Sequence, residues 1–304
     1  MRVTLIHNPG AGSGGPDAAG LMRMIRGAGH EVTCPAADDE GWKRSPGDLV
    51  AVAGGDGTVG GIAKAMAGRG VPLAALPLGT ANNVSKSLGA TDVSLEQIIA
   101  SWDAGRRVKI DVGVATGPWG SKRFIEGVGL GVFAWVMPRA EKSEGLQQLE
   151  DTEDKLVYAL QMLKDRLQQC PPVRVNAMLD GRDVSGEYLM LEAMSIPFIG
   201  PNLYLAPHSS PSDGSLDIAL INEAERNELF TCLAGWQRGT LCRPNLPTHS
   251  GRHLTLEWTG FRVHIDDEVW PPEGAKPPAS GGDIDIRLDG DFVEFLEPGL
   301  PVGA

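Results

Sequence analysis

The stretch LVAVAGGDGT, residues 49 to 58, decides the fold because it joins an apolar run directly to a glycine-rich loop. The apolar run predicts a buried strand, and the loop leads into a helical pattern that ends near Gly68. Glycines at a strand-to-helix turn leave several backbone N–H groups open to one ligand, at the positive end of the helix dipole. The stretch therefore predicts a phosphate-binding loop, with a tight turn capped by Asp56 and Thr58 as the alternative.

Two further glycine loops flank this stretch. Val3 to Ile6 predicts a first strand closed by NPGAGSGG, residues 8 to 15, and Leu73 to Leu76 predicts a third strand followed by PLGTANN, residues 77 to 83. Strand and helix patterns alternate over residues 2 to 110, which is typical of a parallel sheet covered by helices. Because the carboxyl ends of neighbouring parallel strands lie side by side, we expect the three loops to line one crevice.

The pattern changes after Lys109. Short runs such as Leu216 to Ile221 and Leu254 to Trp258 predict turn-bounded strands without regular helices between them. They indicate a second, mainly antiparallel domain. Met137 to Gln169 is the exception, because its polar first half predicts a mobile loop and its second half, from Asp154, predicts a surface helix. The Pro- and Gly-rich residues 271 to 282 predict a long hairpin loop.

The overall composition excludes several classes of protein. A formal net charge of −12 argues against nonspecific binding to nucleic acid or to an anionic bilayer, so any membrane contact must be apolar or local. The scattered Cys34, Cys170, Cys232 and Cys242 predict neither a disulfide framework nor a structural zinc site. Without a signal segment or an apolar run of about 20 residues, we expect a cytoplasmic protein that is at most peripheral to the membrane.

The three loops, in this order and spacing, resemble those of the diacylglycerol kinase catalytic family, which includes sphingosine kinases and bacterial lipid kinases. The resemblance rests on Asn8-Pro9, on GGDGT at residues 54 to 58 and on LPLGTANN at residues 76 to 83. Later segments extend it over essentially the whole chain: Phe124 to Trp135, DGSLD at residues 213 to 217, Asp266-Asp267-Glu268 and Asp291 to Leu296.

Two other nucleotide-binding families fit less well. The G-x-G-x-x-G fingerprint is absent from the first strand-to-helix turn, which disfavours a Rossmann dehydrogenase. NAD kinases carry a similar GGDGT loop in a similar two-domain fold, but GTAN at residues 79 to 82 is similar to the lipid-kinase form. An Asn-Glu pair placed as in NAD kinases is not found.

The resemblance implies an α/β fold of the NAD kinase and diacylglycerol kinase type. Residues 1 to 109 would form a Rossmann-like, three-layer nucleotide-binding domain with a parallel sheet. Residues 110 to 290 would form a mainly antiparallel β domain that holds the acceptor substrate. Residues 291 to 304 would supply a C-terminal strand that returns to the first domain.

The resemblance also implies the site residues. The residues that would hold ATP are Asn8, Gly55, Asp56, Gly57, Thr58, Gly79, Thr80 and Asn82, with Glu268 at the rim of the nucleotide. Phosphoryl transfer also needs Mg²⁺ and a carboxylate that orients or deprotonates the hydroxyl. Asp213 is the candidate base and Asp56 its main rival, while Asp217 is structural or a metal ligand. SPSDG, residues 210 to 214, is equally a good turn sequence, so a purely local role for Asp213 is the alternative.

Several positions depart from the family pattern. The chain has Gly60-Gly61 where Asn-Glu is common, Asn83 where Asp is frequent, Glu126 where Asn is usual, and Asp267 in place of the glycine of an Asp-Gly-Glu turn. The lost carboxylates change the charge near the crevice. They leave open a nucleotide-binding regulatory protein without kinase activity.

The implied activity is phosphorylation of a hydroxyl on diacylglycerol, a sphingoid base or a related lipid alcohol, in lipid metabolism or phospholipid biosynthesis, with transient contact at a membrane surface. A kinase of a soluble alcohol is the third reading. Two apolar stretches are candidate walls for the acceptor or, alternatively, simply core: Phe133, Trp135, Val136 and Met137, then Ile196, Pro197, Phe198, Ile199, Leu203 and Tyr204. The sequence does not decide whether the protein forms an oligomer.

Overall fold

The computed structural model describes residues 1–11, 15–36, 39–90, 93–240, 242–272, 274–275 and 282–298. The chain divides into two compact units. Unit 1 comprises Met1–Ile110 with Asp291–Ala304, and unit 2 comprises Asp111–Gly290. The predicted hairpin loop at residues 271 to 282 lies largely outside the described residues.

Unit 1 alternates strands and helices. Its elements are β1 Arg2–His7, α1 Ala18–Gly27, β2 Glu31–Thr33, a 3-10 turn Gly41–Arg44, β3 Leu49–Gly54, α2 Asp56–Met66, β4 Leu73–Pro77, α3 Asn83–Ser87 and α4 Leu95–Ala100. Two long strands cross the unit boundaries: β5 Arg107–Gly117 and β20 Gly282–Leu296. Within unit 1 the strand order is β2-β1-β3-β4-β20 and each neighbouring pair is parallel. The predicted parallel sheet is therefore confirmed.

Apolar residues bury the sheet of unit 1 on both faces. Every residue of β3 is buried, as expected for a central parallel strand covered by helices. Leu5, Leu49 and Leu76 pack with Leu21 and Ile25 of α1 in one core cluster. The side chain of Asp17 caps α1 by accepting from the amide of Gly20 at 2.7 Å.

Unit 2 is built mainly from short antiparallel strands. These are β6 Gly120–Phe124, β7 Gly127–Gly131, β8 Val173–Val175, β9 Ala177–Leu179, β10 Arg182–Asp183, β11 Gly186–Tyr188, β12 Met190–Met194, β13 Phe198–Ile199, β14 Leu203–Tyr204, β15 Leu216–Ile221, β16 Thr248–Gly251, β17 His253–Trp258, β18 Val263–Ile265 and β19 Glu268–Trp270. One sheet has the order β16-β15-β12-β7-β18-β19, and the other contains β10-β9-β17 and the first part of β20. The two sheets share a core that includes Phe124, Leu191 and Trp258. The predicted antiparallel domain is thus confirmed.

The helices of unit 2 correct part of the sequence interpretation. Its helices are α5 Val132–Glu141, α6 Glu144–Gln147, α7 Thr152–Gln169 and α8 Arg226–Trp236, with a 3-10 turn at Glu223–Glu225. The predicted loop after Met137 contains the end of α5, which continues past Pro138, and all of α6. The prediction of no regular helices between the strands was wrong for α8. Apolar side chains of α5, α7 and α8 pack against β12 and β15 of the six-stranded sheet and form a second core.

The cysteine prediction also needs correction. Cys232 of α8 forms a disulfide with Cys242, and their Cα atoms are 5.3 Å apart. The turn after α8 brings the two together, because the amide of Thr240 donates to the carbonyl of Gly235 at 3.0 Å. Spacing alone does not reveal this pairing. In the described part of the chain, no helix is both long and apolar enough to cross a membrane.

A buried acid and a buried histidine meet across the glycine-rich strand β7. Glu192 on β12 and His264 on β18 are both opposite Gly129 in the sheet register. Their side chains are fully buried, and Nε2 of His264 lies 2.6 Å from Oε2 of Glu192. A Cβ on Gly129 would overlap the Glu192 carboxylate, so the glycine creates the space for this contact.

Near neutral pH the pair of Glu192 and His264 holds one proton in the folded protein, and the same two residues release it in the unfolded chain. Burial raises the pKa of Glu192. Burial lowers the pKa of His264, but the Glu192 carboxylate and Asp266 together outweigh that effect and leave the pKa above its ordinary value. Nδ1 of His264 lies 3.2 Å from the carbonyl of Asp266, so that nitrogen donates and the shared proton lies between Nε2 and Glu192.

We predict that stability falls as pH rises above about 6.5, the ordinary pKa of histidine. Because the pKa of His264 is raised in the folded protein, protonated His264 stabilises the fold below about pH 6.5. This stabilisation is lost as the pH rises through the folded pKa of His264, and the raised pKa of Glu192 acts in the same direction. For the one proton that the pair shares, the free energy of unfolding falls by at most about 1.4 kcal/mol per pH unit. Urea unfolding at pH 6.5 and 8.5 measures it, and the double variant Glu192→Gln/His264→Gln should show a flatter dependence. Equal pH dependence in both proteins would contradict this assignment.

Candidate functional site

Three loops meet at the carboxyl edge of the sheet in unit 1. His7 at the end of β1 is opposite Ala53, and Gly54 at the end of β3 is opposite Pro77 of β4. The amide of Leu78 donates to the carbonyl of Gly54 at 3.2 Å. The loops that follow these strands therefore start side by side.

The second and third loops touch through their backbones. A Cβ on Gly55 would lie 3.1 Å from the Cα of Gly79, and a Cβ on Gly79 would overlap the Cα of Gly55. Asn82 closes the third loop, because its Oδ1 accepts from the amide of Gly79 at 2.9 Å and its Nδ2 donates to the carbonyl of Gly79 at 2.7 Å. Two glycines are thus required for the close approach of the two loops.

Asn8 connects the first loop to the second. Its Nδ2 donates to Oγ1 of Thr58 at 2.8 Å, and its Oδ1 accepts from the amide of Gly10 at 3.0 Å. The methyl-bearing side chain of Thr58 packs against Gly54, where a Cβ would be 2.8 Å from the Thr58 Cβ. Asn8 and Thr58 therefore fix the relative positions of two loops, besides offering polar atoms to a ligand.

Asp56 connects the second loop to helix α3. Its Oδ1 accepts from the amide of Val84 at 3.2 Å. Burial raises the pKa of Asp56, while hydrogen bonds from the amides of Asn83, Val84 and Asn82 and the charge of Lys86 lower it, with a net increase. The carboxylate is thus occupied by the backbone at the start of α3. This geometry favours a positioning role for Asp56 over its sequence-based role as a rival base.

The start of α2 keeps its amides open. Its N-cap, Gly55, provides no side-chain hydrogen bond, so the first-turn N–H groups of Gly57 and Thr58 are without a cap. A side chain caps α1, α4, α6 and α7, whereas α3, α5 and α8 have no side-chain cap, as is the case for α2. Gly57 is exposed and Thr80 is half-buried. An uncapped 11-residue helix facing a glycine crevice is suited to bind phosphate.

Asp213, in unit 2, is an exposed residue of a fixed turn. Its Oδ1 accepts from the amide of Ser215 at 3.0 Å, as a local turn role predicts. The turn is held by Asp111, whose Oδ2 accepts from the amide of Gly214 at 2.9 Å and whose own amide donates to the carbonyl of Pro211 at 2.9 Å. Sequence reasoning missed Asp111; a single acid between Ile110 and Val112 in a strand was its only signal.

Asp217 lies four residues further, at the start of β15. Burial raises its pKa, and the nearby charge of Asp213 raises it further. A hydrogen bond from the Ser209 side chain and the charge of His208 oppose this increase of the Asp217 pKa. The described residues contain no group of three or more His, Cys, Asp or Glu side chains that could hold a metal ion.

Glu268 and its neighbours form the turn between β18 and β19. Glu268 is exposed and pairs with Lys122. Asp266 has a positive φ of 48° and its Oδ1 accepts from the amides of Ile125, Glu126 and Gly127 at 2.9 to 3.3 Å. The turn therefore anchors the start of β7.

The candidate acceptor walls lie in unit 2. Phe133, Val136, Ile199 and Leu203 are buried in the core between the six-stranded sheet and the helices. Trp135 and Met137 are partly buried against that core. Phe198 and Tyr204 stack with their ring centroids 4.5 Å apart. Except for Phe198 and Tyr204, these residues belong to one apolar core or pack against it, as either sequence interpretation allows.

Comparison with known proteins agrees with these motifs. Residues 2–115 match the diacylglycerol kinase catalytic domain. Residues 128–282 match the family described as the YegS C-terminal NAD kinase beta sandwich-like domain. A diacylglycerol kinase of Mycobacterium tuberculosis (strain ATCC 25618 / H37Rv) is 23% identical over 291 residues, 89% of this chain and 90% of the relative. A diacylglycerol kinase of Bacillus subtilis (strain 168) is 26% identical over 244 residues, 75% and 76% of the two chains.

Solved structures share the fold. A diacylglycerol kinase from Bacillus anthracis str. Sterne superposes with a TM-score of 0.63 at 19% identity, over 100% of this chain and 98% of that chain. An NAD kinase from Archaeoglobus fulgidus in complex with ATP superposes with a TM-score of 0.51 at 11% identity, over 98% and 94%. The expected fold type is therefore confirmed.

We predict that Gly79→Ala lowers affinity for ATP about 5- to 150-fold, because the added Cβ pushes the second and third loops apart at a cost of about 1–3 kcal/mol. Gly61→Ala is the matched control, since a Cβ there meets nothing within 4 Å. Inside α2 that alanine should raise stability by about 0.5–1 kcal/mol without changing affinity. Calorimetric titration with ATP and thermal unfolding measure both effects. Equal ATP affinity in the two variants would contradict the role of the glycine contact.

Proposed function

This chain belongs to the diacylglycerol kinase catalytic family and is a kinase that phosphorylates an alcohol group, and we propose that it transfers phosphate from ATP to the hydroxyl of diacylglycerol, a sphingoid base or a related lipid alcohol. The observation that carries the proposal is the convergence of three loops on the uncapped start of α2. Such a crevice supplies several N–H donors to one polyphosphate. Lipid phosphorylation of this kind serves phospholipid biosynthesis.

The loops bind and orient the donor. Amides of Gly57 and Thr58, at the positive end of α2, are placed to receive phosphate oxygens, and the hydroxyls of Thr58 and Thr80 add donors. Asn8, Gly55, Gly79 and Asn82 keep the crevice open by the contacts described above. Asp56 acts by holding the start of α3. Glu268 is assigned to the rim of the nucleotide by the family resemblance alone.

Asp213 is the proposed base. A carboxylate that accepts one backbone hydrogen bond keeps capacity for a second donor, and its orientation here is fixed through Ser215 and Asp111. It would accept a hydrogen bond from the acceptor hydroxyl and take its proton as the phosphoryl group is transferred. Its exposure is consistent with contact to a substrate that arrives from outside.

Mg²⁺ fits the chemistry of the acidic residues. This ion is usually held by one or two carboxylates together with substrate phosphates, which needs no preformed cluster of three protein ligands. Asp217, whose pKa is raised by burial and by Asp213, is the proposed protein ligand. When bound, the ion offsets negative charge on the phosphate oxygens.

The acceptor is proposed to be a lipid because proteins similar to this chain are diacylglycerol kinases. Phe133, Met137, Phe198 and Leu203 belong to the two stretches that the sequence indicates as acceptor walls, and Phe198 is partly exposed. With a chain of net charge −12, contact with a membrane would depend on apolar side chains. The reaction would take place in the cytoplasm, where ATP is present, with transient contact at the membrane surface.

We predict that Asp213→Asn lowers kcat about 10²- to 10⁴-fold while ATP affinity is unchanged, because only the proton acceptor is lost. Asp183→Asn is a closely matched control: Asp183 is also exposed in unit 2 and accepts from the amide two residues later, Ser185, at 2.8 Å. It should retain wild-type kcat. Labelled ATP and total lipid extract provide the assay, with organic and aqueous products counted separately.

Equal loss of activity in both Asp variants, or in neither, would contradict the role of Asp213. Label found only in the aqueous phase would indicate a soluble alcohol as the acceptor. ATP binding without any labelled product would contradict the proposed kinase reaction for this chain.

A further inference from the structure

A second candidate site lies in unit 2, in a cavity of about 350 Å³ at the start of α5. The cavity is also bounded by the end of α7 and by the residues just before β18. Arg262 at the cavity and Asp266 of the β18–β19 turn are at opposite ends of β18. At about 3.3 Å per residue these two positions are about 13 Å apart, so the cavity is separate from that turn.

Three arginines line this cavity. They are Arg139, Arg166 and Arg262, and the cavity-lining residues that the structure describes include no Asp or Glu. Trp135 lies between two of them, with the guanidinium carbon of Arg139 3.6 Å and that of Arg166 4.1 Å from the ring centroid. In a chain of net charge −12, this local concentration of positive charge is unusual.

Two guanidinium nitrogens at the cavity are buried without a partner. Nε of Arg166 and Nη1 of Arg262 are shielded from solvent and have no hydrogen-bond acceptor in the described protein. An unpaired charged donor that is shielded from water is costly, so such groups normally face an acceptor such as an ion or a water molecule. The side chains of Arg166 and Arg262 also line the cavity, so an acceptor bound in the cavity would compensate their charge.

A neighbouring arginine shows the contrasting, structural arrangement. Nε of Arg226 pairs with Glu223 at 2.6 Å, and its Nη2 donates to the carbonyl of Cys170 at 2.8 Å. That arginine is neutralised and holds the end of α7, one wall of the cavity. Arg166, which stacks on Trp135, and Arg262 have no comparable acid among the described residues.

The other residues that line the cavity indicate what kind of group accompanies the hydrogen-bond acceptor in a ligand. Trp135, Phe261 and Val132 are apolar, and a volume of about 350 Å³ is at the lower end of the range of small-molecule pockets. This volume is also larger than a single inorganic ion would fill. Phosphate offers several oxygens to guanidinium groups that approach from different helices and strands.

We propose that this cavity binds a phosphate monoester attached to an apolar group, with Arg166 and Arg262 on the phosphate and Trp135 and Phe261 against the apolar part. This inference uses none of the residues assigned to ATP or to the base, and it shares only Trp135 with the candidate acceptor walls. A soluble phosphate ester and a lipid phosphate share this chemistry.

Calorimetric titration of the full chain with octyl phosphate tests the site, with octan-1-ol and inorganic phosphate as comparison probes. Octyl phosphate should bind with one site per chain, inorganic phosphate more weakly, and octan-1-ol without detectable heat. The variants Arg166→Gln and Arg262→Gln should each lower the affinity for octyl phosphate about tenfold or more. Arg182→Gln removes the same charge from an exposed position on β10 and should leave affinity unchanged.

Octyl phosphate that binds wild type, Arg166→Gln and Arg262→Gln equally would overturn the proposal, as would octan-1-ol binding as tightly as the phosphate. No binding at millimolar octyl phosphate would also overturn it. The comparison of probes on the wild-type chain decides the matter even where a variant fails to fold.

Flotation with phosphatidylcholine vesicles, with and without phosphatidate, separates the two sources. A lipid phosphate is supported as the ligand if the wild-type protein floats only with vesicles that contain phosphatidate and the Arg262→Gln variant floats less with them. Binding of octyl phosphate in solution without flotation supports a soluble ester.

Discussion

The close approach of Gly55 and Gly79 is the constraint on which the candidate site depends. Because neither residue has a Cβ, the loops after β3 and β4 meet backbone to backbone. This contact places Asp56 within hydrogen-bond distance of the start of α3 and leaves the first turn of α2 uncapped. The carboxylate of Asp56, which the sequence offers as the rival of Asp213 for the base, thereby fixes the start of α3, and the amides beside it remain available for an anion.

Much of this arrangement could be predicted from the sequence. Apolar runs such as residues 49 to 53 are buried on both faces, so their composition alone indicates central parallel strands. The loops then converge because neighbouring parallel strands end at one edge. The sequence could not show which donors meet which acceptors: the bond from Asn8 to Thr58 joins residues 50 positions apart and depends on the register of β1 and β3.

The features that sequence reasoning missed have physical causes. Pro138 and the polar residues after it resemble a loop, yet α5 continues because its apolar residues pack on the outer face of a sheet. The sequence segment that contains β7 resembles the family as a pattern, but the reason for Gly129 lies in Glu192 and His264, which meet across it. For Asp213, the turn sequence and the base have the same signature, so its catalytic role stays a prediction.

Hydrogen exchange of the backbone amides, measured with and without ATP, tests the central claim most directly. If one triphosphate is held by amides from the joined loops, exchange at residues 55–58 and 79–82 should slow together on addition of ATP, and Gly79→Ala should reduce both effects. ATP that binds with protection confined to other segments, or that protects one loop and not the other, would contradict the account.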